Sequence, residues 1–178
     1  MSPRHLEAAV ELGREAARRG LAIVFGGGNV GLMGALADGV LAEGGEVTGV
    51  IPEHLRAKEV AHNGLSDLIV VDSMHTRKRK MFDLSDAFCV LPGGMGTLDE
   101  TFEILTWRQL GLHDKPIIVV NVDGFWGPFL KLFEHQVEAG YIRPPDTRLF
   151  RVVERVASVF DALAEAPAPG IAADTDRL

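Results

Sequence analysis

Cysteine is nearly absent from this 178-residue chain: Cys89 stands alone. No intrachain disulfide can form, and a cysteine-rich zinc site is excluded. Long apolar runs are also missing. None approaches the roughly 18 residues that span a bilayer, and the first residues carry no signal-peptide pattern. Nor is there a basic excess: 18 Lys and Arg face 25 Asp and Glu, for a formal charge of −7. That balance argues against a general nucleic-acid binder, which usually carries a basic patch and a high pI. Together these absences predict a cytoplasmic chain that engages neither membrane nor nucleic acid. What is present suits a folded domain: 47% of residues are hydrophobic and 24% charged, in a length able to bury a substantial core. The six histidines and the acids show no metal-ligand spacing, so no metal is expected.

Apolar, β-branched runs alternate with helical patterns. Strands are predicted at 21–25, 46–51, 67–71, 87–91 and 116–122, with a further short one in "RLFRVV" and a last helix in "ERVASVFDALAEA". Near-continuous apolar strands separated by helices imply parallel strands buried on both faces. The predicted fold class is therefore α/β, a doubly wound, mostly parallel, Rossmann-like sheet with helices on both faces, which binds ligands beyond the carboxyl ends of its strands. Residues 1–164 are expected to form a single domain, and 165–178, rich in Pro, Ala and Asp, a mobile tail. Ser2 and Pro3 read as N-cap and first position of an opening helix, where a doubly wound fold would normally open on a strand.

Two glycine turns follow strands. In "FGGGNVGLMG", Gly26, Gly28 and Gly31 satisfy GxGxxG between a strand and a helix, and with Gly27 they form a candidate phosphate turn. The same glycines equally suit a crowded strand-to-helix connection. The acid expected on a ribose should end the next strand; Glu53 comes late, after a proline, so NAD is weakly supported. In "PGGMGT", Gly93, Gly94 and Gly96 suit a backbone nest for an anion, with Thr97 adding a hydroxyl. Here too a structural reading stands beside the functional one, since Thr97 and Glu100 fit a capping box, with Thr97 as N-cap and Glu100 at N3.

The basic run "MHTRKRKM" has helical spacing. Arg77 lies three residues after Met74 and four before Met81, and Lys78 lies four after and three before the same pair, so both flank an apolar face while Arg79 points away. Such cations suit a phosphate or ribose near a strand end, and an arginine can fork two hydrogen bonds onto an anion.

Taken in order, "GGGNVGLMG", "MHTRK", "SDAFCVLPGGMGTLDE" and "TWRQLGLHDKPIIVVNVDGFW" resemble the Lonely Guy (LOG) family from about Leu6 to Leu163. Its members are cytokinin riboside 5′-monophosphate phosphoribohydrolases, long labelled lysine decarboxylases. The resemblance implies hydrolysis of the N-glycosidic bond of an adenosine-type 5′-monophosphate, yielding free base and ribose 5-phosphate, without pyridoxal phosphate, metal or other cofactor. It places the catalytic pair on Arg77 and Glu100. It places substrate binding on Glu59, Arg77, Lys78, Gly94, Met95, Gly96, Thr97, Leu98, Asp99, Glu100 and Thr106. It also implies a homodimer, with a nucleoside monophosphate as its small-molecule partner. Non-catalytic mononucleotide binding is the alternative, and an NAD-dependent oxidoreductase a weaker one. Family members open with a strand and a "CGSS"-like turn that this chain lacks, and the expectation is a start site set too late.

Overall fold

A computed structural model describes residues 1–56, 62 and 64–167. The described chain divides into two compact units that meet in sequence between Ser85 and Asp86. The first contains α1 (Pro3–Arg18), β1 (Ile23–Phe25), α2 (Leu32–Ala42), β2 (Val47–Pro52), α3 (Glu53–Arg56), β3 (Asp67–Val71) and α4 (Met74–Leu84). The second contains β4 (Phe88–Val90), α5 (Met95–Gln109), β5 (Ile117–Val120), α6 (Gly127–Glu138), β6 (Arg151–Val153) and α7 (Ala157–Ala164), with 3-10 turns at Val122–Gly124 and Pro144–Leu149.

The strands form two parallel three-stranded sheets, ordered β1-β2-β3 and β4-β5-β6. In the first, Phe25 pairs with Gly49 at the last rung of β1, while β2 continues alongside β3 to the Pro52–Val71 rung. In the second, Val90 pairs with Val119 and Val120 with Val153. All four residues of β5 are buried, as are five of the six in β2, which explains why these central strands read as unbroken apolar runs. Burying each Val or Ile side chain is worth about 1.5–3 kcal/mol.

Helices cover the sheets with their apolar stripes. α1 buries Ala8, Ala9, Leu12, Gly13 and Ala16. Its Gly13 meets the backbone of α2 at Leu36 and Val40, and Gly39 of α2 meets the backbone of α1 at Val10. This reciprocal close approach leaves no room for a side chain at either position. Ser2 and Pro3 do open α1, although the Ser2 side chain makes no cap hydrogen bond. In the second unit an aromatic cluster joins Phe102 of α5 to Phe129 and Phe133 of α6 and to Phe150, with Phe129 and Phe133 centroids 4.9 Å apart. Of the tail predicted at 165–178, residues 168–178 lie outside the described residues.

Candidate active site

In the first unit, β1 ends at Phe25 and the chain enters Gly26, Gly27 and Gly28, all buried. Gly27 adopts φ +79°, a left-handed conformation that favours glycine. Gly31, at φ +67°, is the N-cap of α2. A Cβ on Gly26 would collide with the Arg77 guanidinium, and a Cβ on Gly34 would collide with the backbone carbonyl of Asn29. The protein itself therefore fills the space beside this turn.

Arg77 reaches it from α4. Ser73 caps that helix by accepting the Thr76 N–H at 3.2 Å, and the Thr76 hydroxyl donates in turn to Asp72. Those hydrogen bonds from Thr76 and Ser73 hold the exposed Asp72 carboxyl below its ordinary range. As the methionine spacing predicts, Arg77 turns inward and Lys78 is half-buried, while Arg79 is exposed and paired with Asp83. Arg77 is only 6% exposed. Its Nε–H donates to Val50 O at 3.0 Å and its Nη2–H to Gly26 O at 2.7 Å, while Nη1 faces Met74 Sδ at 3.8 Å.

His62 is tied to the same turn. His62 N–H donates to Gly27 O at 3.1 Å, its Nδ1 accepts the Gly64 N–H at 3.1 Å, and its Nε2 meets Asp38 Oδ1 at 3.0 Å. Glu59, a predicted substrate ligand, lies outside the described residues. Glu53 opens α3 with its side chain largely exposed.

The second unit carries the other glycine turn, and its local structure corrects one expectation. The N-cap of α5 is Gly94, not Thr97, so Thr97 and Glu100 stand at N3 and N6 and form no capping box. Thr97 turns its side chain back onto Gly93, into the space a Cβ there would need, and Leu98 N–H closes the first turn on Gly94 O at 3.0 Å. As N-cap, Gly94 offers the opening amides of α5 no side-chain cap.

Gly94, Met95 and Gly96 are exposed, and among the described residues nothing beyond the local backbone lies within 4 Å of where a Cβ on Gly94 or Gly96 would stand. Gly94 has φ −99°, a value open to any residue, so neither packing nor conformation inside the chain requires glycine there. Glu100, half-buried, lies four residues beyond Gly96 and therefore on the same helix face, one turn along. The uncapped amides carry the positive end of the helix dipole, which favours an anion.

Beside this face α5 borders an open hollow of about 510 Å³, lined by Met95, Leu98, Asp99, Phe102, Glu103, Thr106 and Trp107. Its size is within the ordinary range for small-molecule sites. Thr106 is exposed and donates its hydroxyl to Phe102 O at 2.7 Å. Phe102 and Glu103 escape the sequence reading, although their spacing from Met95, Leu98 and Asp99 is the helical signal that would have found them. A second hollow, of about 460 Å³, lies along α1 and contains none of the predicted site residues. Among the described residues no group of three or more His, Cys, Asp and Glu is placed to hold a metal ion.

Known proteins match this chain over most of its length. The profile of a family described as "Possible lysine decarboxylase" matches residues 33–163. A "Probable cytokinin riboside 5′-monophosphate phosphoribohydrolase" of Oryza sativa subsp. japonica is 42% identical over 159 residues, covering 89% of this chain and 65% of the relative. A "Cytokinin riboside 5′-monophosphate phosphoribohydrolase" of Rhodococcoides fascians is 51% identical over 134 residues, covering 75% of this chain and 68% of the relative. The chain thus spans about two thirds of the length of these curated relatives. Among solved structures, the Moco carrier protein of Chlamydomonas reinhardtii superposes with a TM-score of 0.69 at 22% identity, over 93% of this chain and 89% of that one. That likeness bears out the Rossmann-like α/β class.

Proposed function

The chain belongs to the family described as "Possible lysine decarboxylase", and from that premise we propose that it hydrolyses the N-glycosidic bond of adenosine-type 5′-monophosphates, N6-modified ones included. The products are a free base and ribose 5-phosphate. Relatives named as phosphoribohydrolases support the activity. The observation that carries it is the opening of α5, where Gly94 and Gly96 leave open space at uncapped amides and Glu100 stands one turn above Gly96.

In this reading the amides of Met95, Gly96 and Thr97 receive the 5′-phosphate. The helix rises about 1.5 Å per residue, so Glu100 stands about 6 Å further along the axis than Gly96, a separation suited to a ribose lying between phosphate and carboxylate. As the bond from C1′ to the base breaks, its electron pair leaves with the base and positive charge develops on the sugar. The Glu100 carboxylate stabilises that charge and takes a proton from the water that bonds to C1′, while the departing base takes a proton from solvent, to which Glu100 later returns its own. The half-buried position of Glu100 strengthens this electrostatic effect relative to bulk water. Met95, Leu98, Phe102 and Trp107 give the adjoining hollow the apolar wall that a substituted base would meet. In the same reading the chain works as a homodimer in the cytoplasm.

Glu100→Gln tests the assignment with AMP and N6-isopentenyl-AMP as substrates. Because glutamine keeps the size of Glu100 and a hydrogen-bonding carbonyl, the variant's unfolding free energy should stay within about 1 kcal/mol of the wild type. Base release should fall by about 10²–10⁴-fold. A variant that binds AMP and retains most of its turnover would leave Glu100 without a chemical role. A wild-type protein that binds AMP and leaves it intact would favour the non-catalytic reading.

A further inference from the structure

We infer that Glu103 selects the base in the proposed hydrolysis, accepting a hydrogen bond from the exocyclic N6–H of an adenine and so favouring 6-amino over 6-oxo purines. The inference rests on the hydrolase reading above and adds to it a residue that reads the base. Gly96, Glu100, Glu103 and Trp107 stand four, three and four residues apart, so they form one row along α5. With the phosphate at the opening amides and the ribose at Glu100, the base falls on the next turn of that row. Glu103 stands there, about 4.5 Å further along the axis than Glu100. It is half-buried and lines the hollow of about 510 Å³ beside the helix.

The neighbours of Glu103 suit the role less well. Asp99 lines the same hollow but precedes Glu100, at the height proposed for the ribose, and it is exposed. Thr106 commits its hydroxyl proton to Phe102 O at 2.7 Å, so toward a ligand it offers lone pairs. Glu103 and Thr106 thus both face the base with oxygen acceptors. An adenine answers with its N6–H donor, whereas the O6 of a 6-oxo purine would meet those oxygens acceptor to acceptor. Met95, Leu98 and Phe102, spaced three and four residues apart, form a second, apolar row bordering the same hollow. Phe102 is held there parallel to Phe133, with ring planes 6° apart and centroids at 6.3 Å. An N6 substituent can lie on this apolar row while the remaining N6–H turns to Glu103.

The test compares kcat/KM for base release from AMP and from IMP in the wild type and in Glu103→Gln. Calorimetry adds the Kd for ribose 5-phosphate, which carries no base. The amide of glutamine can donate to O6, so the preference for AMP over IMP should shrink by about tenfold or more. The Kd for ribose 5-phosphate should stay within about twofold of the wild type, since sugar and phosphate contacts are kept. An unchanged ratio of AMP to IMP, or a rise in that Kd of about tenfold or more, overturns the inference. The wild type alone gives a second measurement, which stands even where Glu103→Gln does not fold. N6,N6-dimethyl-AMP has no N6–H, so its kcat/KM should lie about tenfold or more below that of N6-isopentenyl-AMP, whose substituent is larger. Equal turnover of those two nucleotides overturns the inference. If the wild type binds AMP but releases no base from any nucleotide monophosphate, the hydrolase reading fails, and the Kd values for AMP and IMP in the two proteins still decide whether Glu103 reads the base. A wild type that binds neither nucleotide overturns both.

Discussion

After β1 the chain turns on Gly26–Gly31, and after β4 it turns on Gly93–Gly96. Both follow a buried strand residue and lead into a helix, and in sequence they look alike. In the first, Gly26, Gly27 and Gly28 are buried, and protein occupies the space beside them: Arg77 against Gly26, and Leu68 and Gly49 against Gly27. In the second, Gly94 and Gly96 are exposed and face open space. A glycine beside a filled space is explained by the chain that fills it. A glycine beside an open one, at an ordinary φ, gains nothing from being glycine in the chain alone. The difference separates glycines explained by packing from glycines that packing does not explain, and it supports the proposal that the phosphate binds at the second turn.

The sharpest break between the two turns is a dissociation of activity from stability. Gly94→Ala and Gly96→Ala should leave unfolding free energy within about 0.5 kcal/mol of the wild type, or raise it slightly at Gly96, which lies inside α5. Each methyl group would stand over the amides proposed to hold the phosphate, so kcat/KM for base release should fall about a hundredfold. Unchanged kinetics with a lowered melting temperature would reverse the assignment of the two turns.

The first turn should behave the opposite way. A methyl group at Gly34 would be forced against the Asn29 carbonyl, which is backbone and cannot swing aside. Gly34→Ala should therefore cost about 1–3 kcal/mol in denaturant unfolding, as overpacking does. The activity of the molecules that remain folded should change less than in Gly94→Ala. Stability equal to the wild type would show that the first turn is looser than its packing indicates.

None of this contrast can be read from the sequence, because both turns satisfy glycine patterns and only tertiary neighbours tell them apart. The strands were legible, since β2 and β5 are buried on both faces and therefore appear as unbroken apolar runs; β3 matches its expected bounds and the other ends lie within three residues. The inward turn of Arg77 was legible from its methionine spacing, but its carbonyl partners lie 27 and 51 residues away. The start of α5 was misread because Thr97 and Glu100 mimic a capping box, and only the extended conformation of Gly94 shows that the helix begins earlier. Two histidines without ligand spacing turn out to be braces. His62 and His113 each accept, at Nδ1, the amide two residues on, from Gly64 and Lys115 at 3.1 Å. Burial, reinforced by nearby Arg108 and Lys115, lowers the pKa of His113 and so favours the neutral ring this brace requires.

The smallest expected effect lies at the other end of α5, where the chain satisfies its own groups. Gln109, the last residue of the helix, donates to Asp146 at 3.0 Å, and Arg143 Nε donates to the same carboxylate at 3.0 Å. Asp146 is 6% exposed. Burial alone would raise its pKa, but the hydrogen bonds from Arg143 and Gln109 outweigh that and hold it below the ordinary carboxylate value. A depressed folded-state pKa stabilises the fold above the unfolded value of about 4, and the stabilisation fades as pH falls through the folded value. Asp146→Asn should therefore cost about 1 kcal/mol at neutral pH in denaturant titrations, with the gap to the wild type steady down to about pH 5 and closing below about pH 4. Because this end of α5 needs no ligand, kcat/KM at neutral pH should remain that of the wild type. A loss of turnover as large as that expected for Gly94→Ala would mean that the two ends of the helix are coupled, and that the open turn depends on Asp146 to keep its shape.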